Sequence, residues 1–139
     1  MSTVMLPPDY RPVEDDEFMN PVMTEYFRQK LLAWRLELLR ESEETLTNLQ
    51  DGGLQEPDIA DRASAETDRA LELRTRDRAR KLIQKIDAAL RRIEDGSYGY
   101  CEETGEPIGV RRLEARPVAT LSLEAQERHE RLERTHRDD

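Results

Sequence analysis

The chain has 139 residues, 38% charged, 36% hydrophobic and 5% aromatic, and its 22 Lys and Arg against 31 Asp and Glu leave a formal net charge of −9. That length is one domain, or a domain with an arm, and so few large side chains in so charged a chain predict long helices instead of a wide globule. The acidic balance argues against gripping duplex DNA through its phosphates, and no apolar run is long enough for a membrane span. Residues 1–13 lack the pattern of a secretory signal, and one cysteine makes neither an intrachain disulfide nor a multi-thiolate metal site, so a cytoplasmic protein is expected.

Residues 1–20 read as an irregular, acidic arm punctuated by Pro7, Pro8 and Pro12, with room for one helical turn near residues 15–18. A helix is predicted over 21–51. Asn20 is a good N-cap and Pro21 fits the first helical position. Phe27, Leu31, Trp34, Leu38, Thr45 and Leu49 recur at spacings of four, three, four, seven and four, a heptad-type seam that Leu32, Leu39 and Leu46 widen. Gly52 and Gly53 end it, and residues 51–61 read as a turn. A second helix, starting at Asp58 or Asp61 and ending at Glu94, shows Ala63, Ala70 and Leu73, then a gap, then Leu82, Ile83, Ile86, Leu90 and Ile93. Each seam is too narrow to be stable alone, so the two helices are expected to pair antiparallel, about 45 Å long at ~1.5 Å per residue.

Four glycines interrupt residues 96–117, and Tyr98, Tyr100, Ile108 and Val110 suggest short strands, with 98–105 as a tight knuckle between them. Ser122 caps a last helix over 122–134. The fold class expected is mainly α: a long antiparallel coiled-coil hairpin over 21–95 with its tip at 51–63, an N-terminal arm over 1–20 packing on or near the head, and a small head over 96–139.

Asp58 and Asp61 fall three residues apart at the hairpin end and share a face of a helical turn. They suit capping a helix N-terminus, or reaching a cation or metal inside a partner's cavity. Arg74, Arg76, Arg78, Arg80 and Lys81 around Asp77 give +5 − 1 = +4 over eight residues. This is either a solvated face paired with Glu41, Glu43 and Glu44, or a docking surface for an acidic or phosphorylated partner, which the arginine fork suits. Arg111, Arg112 and Arg116 follow a predicted strand and, with Lys85, suit either internal pairing or a polyphosphate. Thr104 stands three after Cys101, and Ser122 and Ala125 take the places of a second C-x-x-C pair, so no structural zinc site is expected. No phosphate-binding glycine loop and no nucleophile beside a histidine is present, so no catalytic residue is expected.

Several strings together resemble the DksA family of bacterial RNA polymerase-binding transcription factors, over nearly the whole chain from Phe18 onward. They are Phe18-Met19-Asn20, Leu32-Ala33-Trp34-Arg35, Asp58-x-x-Asp61-Arg62-Ala63, Leu71-Glu72-Leu73-Arg74-x-Arg76-Asp77-Arg78, Arg80-Lys81-Leu82-Ile83, Tyr98-Gly99-Tyr100-Cys101-Glu102 and Ile108-Gly109-Val110-Arg111-Arg112-Leu113-Glu114-Ala115-Arg116-Pro117. The resemblance implies a binding factor and not an enzyme. Its arm would enter the secondary channel of RNA polymerase and place Asp58, Asp61 and Ala63 near the active site, without contacting DNA. Arg74, Arg78 and Arg112 would dock on the polymerase, and Leu82, Lys85 and Arg116 would line a site for ppGpp, a shared effector in control of ribosomal RNA and biosynthetic promoters. Family members carry four zinc cysteines; here Cys101, Thr104, Ser122 and Ala125 occupy those positions. No metal cofactor is therefore expected, and Ile108, Val110, Leu113, Leu121 and Leu123 are expected to hold the head by packing. Gln126 stands where the ppGpp site has a basic residue. A monomer is expected. The alternatives are a transcript-cleavage-type channel factor, whose tip carboxylates help hold a catalytic Mg²⁺, and a non-transcriptional coiled-coil adaptor.

Overall fold

A computed structural model describes residues 4–52 and 59–138, with side chains over 4–47 and 63–135. Among the described residues four helices follow in order: α1 (Pro21–Gly52), α2 (Ile59–Asp95), α3 (Val110–Ala115) and α4 (Leu123–Asp138). The chain divides into two compact units, one formed by Met1–Leu31 with Ala88–Asp139 and the other by Leu32–Asp87.

In the first unit α1 starts at its expected cap. The Asn20 side-chain oxygen accepts the Met23 N–H at 2.9 Å, which satisfies a donor that the first turn cannot. Met23 and Phe27 are fully buried. Four of the seven aromatics form one line of tilted and edge contacts, and Phe18 and Tyr100 form a separate edge pair. Tyr10 meets Tyr26 at 5.7 Å between centroids, Tyr26 meets Phe27 at 5.2 Å, and Phe27 meets Tyr98 at 5.9 Å. This line seats the segment before α1, where Pro12 is buried. No helical turn forms near residues 15–18; two hydrogen-bonded turns, Val13 to Asp16 and Glu17 to Asn20, take its place.

The strands expected over residues 96–117 reduce to one isolated bridge, Tyr100 with Pro107. Past Ile108 the chain turns at Gly109 (φ 105°) into α3, which buries Val110 and Leu113. Those two lie three apart, a helical spacing that a strand would send to opposite faces. Lys30 reaches across from α1 to the end of α3, donating to the Glu114 carbonyl at 3.1 Å and its carboxylate at 2.9 Å, where a cation offsets the negative end of the helix. Ser122 caps α4 as expected, its hydroxyl accepting the Ala125 N–H at 3.2 Å. Leu123, expected in the core, is 57% exposed, and Ala125 is buried in its stead.

In the second unit Arg35 Nε donates to Asp87 at 2.7 Å. Six residues separate α1 from α2 in sequence, so a contact between positions 35 and 87 requires the two segments to run antiparallel. Among the described residues Leu38 and Ile86 are its buried apolar side chains. The inner line of α2 differs from the expected one. Ala63, Ala70 and Leu73 are exposed, and over residues 63–81 the half-buried positions are Ala65, Arg69, Glu72 and Ala79. The reason is phase: stepping back from Ile86 by three and four in turn leads through 83, 79, 76, 72, 69 and 65, all half-buried except Arg76 and one residue out of step with 73, 70 and 63. Leu32, Leu39 and Leu46 likewise do not widen the inner seam; each is exposed.

Gly99 has φ 91°, and an added Cβ would stand 3.1 Å from Met19 and 3.2 Å from Phe18 side-chain carbons. Gly99→Ala is expected to lower stability in urea denaturation by about 1–3 kcal/mol. Gly105→Ala, with φ 74° but open space around it, is expected to lose less. Burial and a hydrogen bond to the Glu114 carboxylate push the Tyr26 phenol up to about 12, and burial pushes Tyr98 up further. The fold thus prefers both phenols protonated. Their contribution is complete below pH ~10, the ordinary tyrosine value, and is lost as pH rises through the folded-state values. Stability followed against pH should fall less steeply between about pH 10 and 12 in Tyr26→Phe than in the wild type.

Candidate functional site

The basic run of α2 stands in water. Arg74, Arg76, Arg78, Arg80 and Lys81 are all exposed, and none forms an ion pair among the described residues, where the pairs are Arg28–Glu25, Lys30–Glu114, Arg35–Asp87 and His129–Glu103. Pairing with Glu41, Glu43 and Glu44 is not observed; those carboxylates are exposed as well. The antiparallel register set by Arg35 and Asp87 brings 41–44 level with about 78–81, yet the charged side chains of both stretches are exposed. Leu71 and Leu73, 52% and 45% exposed, precede the run, so this length of α2 shows apolar and basic side chains on its surface while Glu72 turns inward.

The other expected site residues fall in several places. Asp58 and the Asp61 side chain lie outside the described residues, and Ala63 is exposed near the start of α2. Leu82 is half-buried and Lys85 exposed, both in the Leu32–Asp87 unit; Arg116, exposed, belongs to the other unit. Arg112 is half-buried, and its Nε donates to the Leu121 carbonyl at 2.8 Å, tying α3 to the segment before α4. Gln126 is half-buried, with its amide on the Glu130 carboxylate at 3.4 Å.

Cys101 is 3% exposed; its N–H donates to the Glu106 carbonyl at 2.8 Å, and its carbonyl accepts the Gly105 N–H at 2.9 Å. Burial pushes the thiol up, but the Thr104 hydroxyl and the backbone N–H groups of Ser122, Thr104 and Glu103 act on the sulfur and pull it down to about 6. Ala125, fully buried, sits one turn into α4 with its N–H on the Ser122 hydroxyl. His129 of α4 and Glu103 of the knuckle are in direct contact. Sequence reasoning found the knuckle but not this cradle, because most of its donors are backbone groups that any residue type supplies.

Comparison with known proteins gives two family matches. Residues 23–93 match the N-terminal domain of DnaK suppressor protein DksA, and residues 96–131 match the prokaryotic dksA/traR C4-type zinc finger. The chain is 73% identical over 131 residues to the RNA polymerase-binding transcription factor DksA of Caulobacter vibrioides, covering 94% of this chain and 92% of that one. It is 47% identical over 115 residues to the DksA of Escherichia coli K12, covering 83% and 76% respectively. The structure of transcription factor DksA2 from Pseudomonas aeruginosa is similar, with a TM-score of 0.78 and 47% identity over 84% of this chain and 90% of that one. Among the described residues no helix is long and apolar enough to cross a membrane.

The match over residues 96–131 corrects one expectation. A chain without a metal cofactor was expected from its single cysteine, but the segment matches a C4-type zinc finger, which points to a zinc-binding site there. The cradle around Cys101 favours the thiolate, the form a metal requires. The side chains at 104, 122 and 125 supply no further thiolate, so the residues present do not fit a four-thiolate site. Among the described residues no group of three or more His, Cys, Asp and Glu is gathered to hold a metal ion. Two family matches that together run from residue 23 to residue 131, and relatives alike over most of their length, place the chain in the DksA family.

Proposed function

We propose that this protein regulates transcription by binding RNA polymerase, and that it does so as a cytoplasmic factor with no catalytic activity of its own. The observation that carries the reading is the exposed basic run of α2 in a chain of net charge −9. Without ion-pair partners among the described residues, Arg74 and Arg78 keep their full charge and their planar donor forks for carboxylates on a partner. The relatives named as polymerase-binding factors support the identity of that partner.

The hairpin enters the secondary channel of the polymerase, and Asp58, Asp61 and Ala63 act at its tip. The alarmone ppGpp binds against Leu82, Lys85 and Arg116 together with the polymerase, and no contact is made with DNA. Gln126, a neutral side chain, weakens this response without removing the two cations. Arg112, whose Nε is held by the Leu121 carbonyl, contributes to docking through its remaining donors.

The test is in vitro transcription from a ribosomal RNA promoter with the cognate polymerase, with and without ppGpp. Inhibition that deepens with ppGpp is expected. Asp61→Asn should lose the promoter effect while retaining polymerase binding; a variant that still inhibits would remove the tip from the mechanism. Arg78→Ala should weaken binding by about two- to fivefold, as for an exposed ionic contact. The gap from wild type should narrow at high salt, where such contacts are screened. An unchanged affinity would exclude Arg78 from the docking face.

A further inference from the structure

The first unit holds a cleft that the docking face and the hairpin tip do not use. It encloses about 590 Å³ where the segment before α1, the first turns of α1, the end of α2 and the knuckle come together. That volume is of the order of a small-molecule site. Val4, Met19, Ile93, Tyr98 and Tyr100 supply its apolar wall. Tyr98 is buried and tied to the Pro117 carbonyl, and Phe18 holds Tyr100 edge-on at 5.5 Å, so the wall is preformed. Met19 takes φ 54°, a left-handed conformation that a side chain of its size adopts at a cost. Its N–H donates to the Met23 sulfur at 3.3 Å and its carbonyl accepts the Thr24 hydroxyl at 3.1 Å. These bonds keep a polarisable thioether in the same wall as two phenol rings.

The charges of the lining say what fits it. Glu25, Arg28 and Glu94 give −2 + 1 = −1. Glu25 is answered within the protein, since its Oε1 accepts both Arg28 at 3.0 Å and Gln29 at 3.3 Å. Glu94 is exposed and forms no ion pair among the described residues. It stands in the last turn of α2, where the helix end adds its own negative pole. Asp95 beside it is engaged by Ser97, whose N–H donates to it at 2.9 Å. An anionic ligand would meet Glu94 with the one guanidinium of the lining already paired. We infer that the cleft binds a small organic amine, with its apolar or aromatic body against Met19, Ile93 and Tyr100 and its ammonium on Glu94, beside the tyrosine rings. The inference stands apart from the polymerase reading, because none of these residues belongs to the basic run of α2 or to the tip.

The experiment titrates the full-length protein, followed by backbone amide NMR, with phenethylamine, which is protonated at neutral pH. Two molecules of similar body serve beside it: neutral 2-phenylethanol and anionic 3-phenylpropionate. The amine should bind with a Kd of about 1 mM or tighter and move the amide signals of residues 19–28 and 93–100. The alcohol should bind at least fivefold more weakly, and the propionate should not bind. Glu94→Gln should lower amine affinity to that of the alcohol and leave the alcohol unchanged, whereas Ile93→Ala should weaken both. A thermal melt accompanies each variant, and Glu94→Gln, a change at an exposed position, carries the test should Ile93→Ala fail to fold. Equal affinities for amine and alcohol, propionate binding as tight as that of the amine, or an unchanged amine affinity in Glu94→Gln would overturn the inference. So would no binding at tens of millimolar amine. Shifts centred on the acidic stretch 41–44 instead of the cleft would mark a general attraction to carboxylates and overturn it as well.

Discussion

The contact between Phe27 and Tyr98 is the one on which the rest of the first unit depends. A chain with two phenylalanines, one tryptophan and four tyrosines can build one dense aromatic cluster, and this one places it where the start of α1 meets the segment leaving α2. Phe27 is fully buried and Tyr98 is 2% exposed. The phenol of Tyr98 would be costly at that depth without a partner, and it donates to the Pro117 carbonyl at 2.8 Å. One side chain thereby joins α1, the knuckle and the stretch after α3. The chain before α1 is held by the same line of rings through Tyr26 and Tyr10. Its last turn lays Phe18 and Met19 against Gly99, whose φ of 91° and close neighbours disfavour a larger residue.

The second unit is organised on another principle. Besides Leu38 and Ile86 it half-buries Trp34, Leu82 and Ile83, and its remaining inner positions away from the Arg35–Asp87 pair are Ser42, Thr45, Ala65, Arg69, Glu72 and Ala79, which bury little apolar area. Its leucines at 36, 46, 71 and 73 are on the outside. Hydrophobic burial therefore holds this length of hairpin less firmly than it holds the first unit, and the side chains that would have strengthened it face outward, free for a partner.

Much of this was legible in the sequence. The two long helices follow from heptad spacing, and Asn20 and Ser122 cap where their side chains allow. Phase was harder to read. A gap in apolar residues between Leu73 and Leu82 hides a slip, and a list of apolar positions does not show which belong to one face. The outer stripe of α1 was misjudged for the same reason, since Leu32 and Leu39 sit one residue past Leu31 and Leu38. Helix α3 is six residues long, too short for periodicity to declare, and Ile108 and Val110 alternate as a strand would until Leu113 breaks the pattern. Leu123 was placed in the core on hydrophobicity alone, whereas the turn of α4 directs Ala125 there.

The knuckle shows why a ligand set cannot be read from side-chain identity by itself. Thr104 and Ser122 replace thiolates in the family pattern, yet both still act on the Cys101 sulfur through backbone N–H groups, and Thr104 through its hydroxyl too. Such donors stabilise negative charge on sulfur whatever side chain follows them. The same separation runs through the molecule. Backbone and core fix where charge is placed, and the exposed side chains, the arginines of α2 and the leucines of α1, decide what that charge meets.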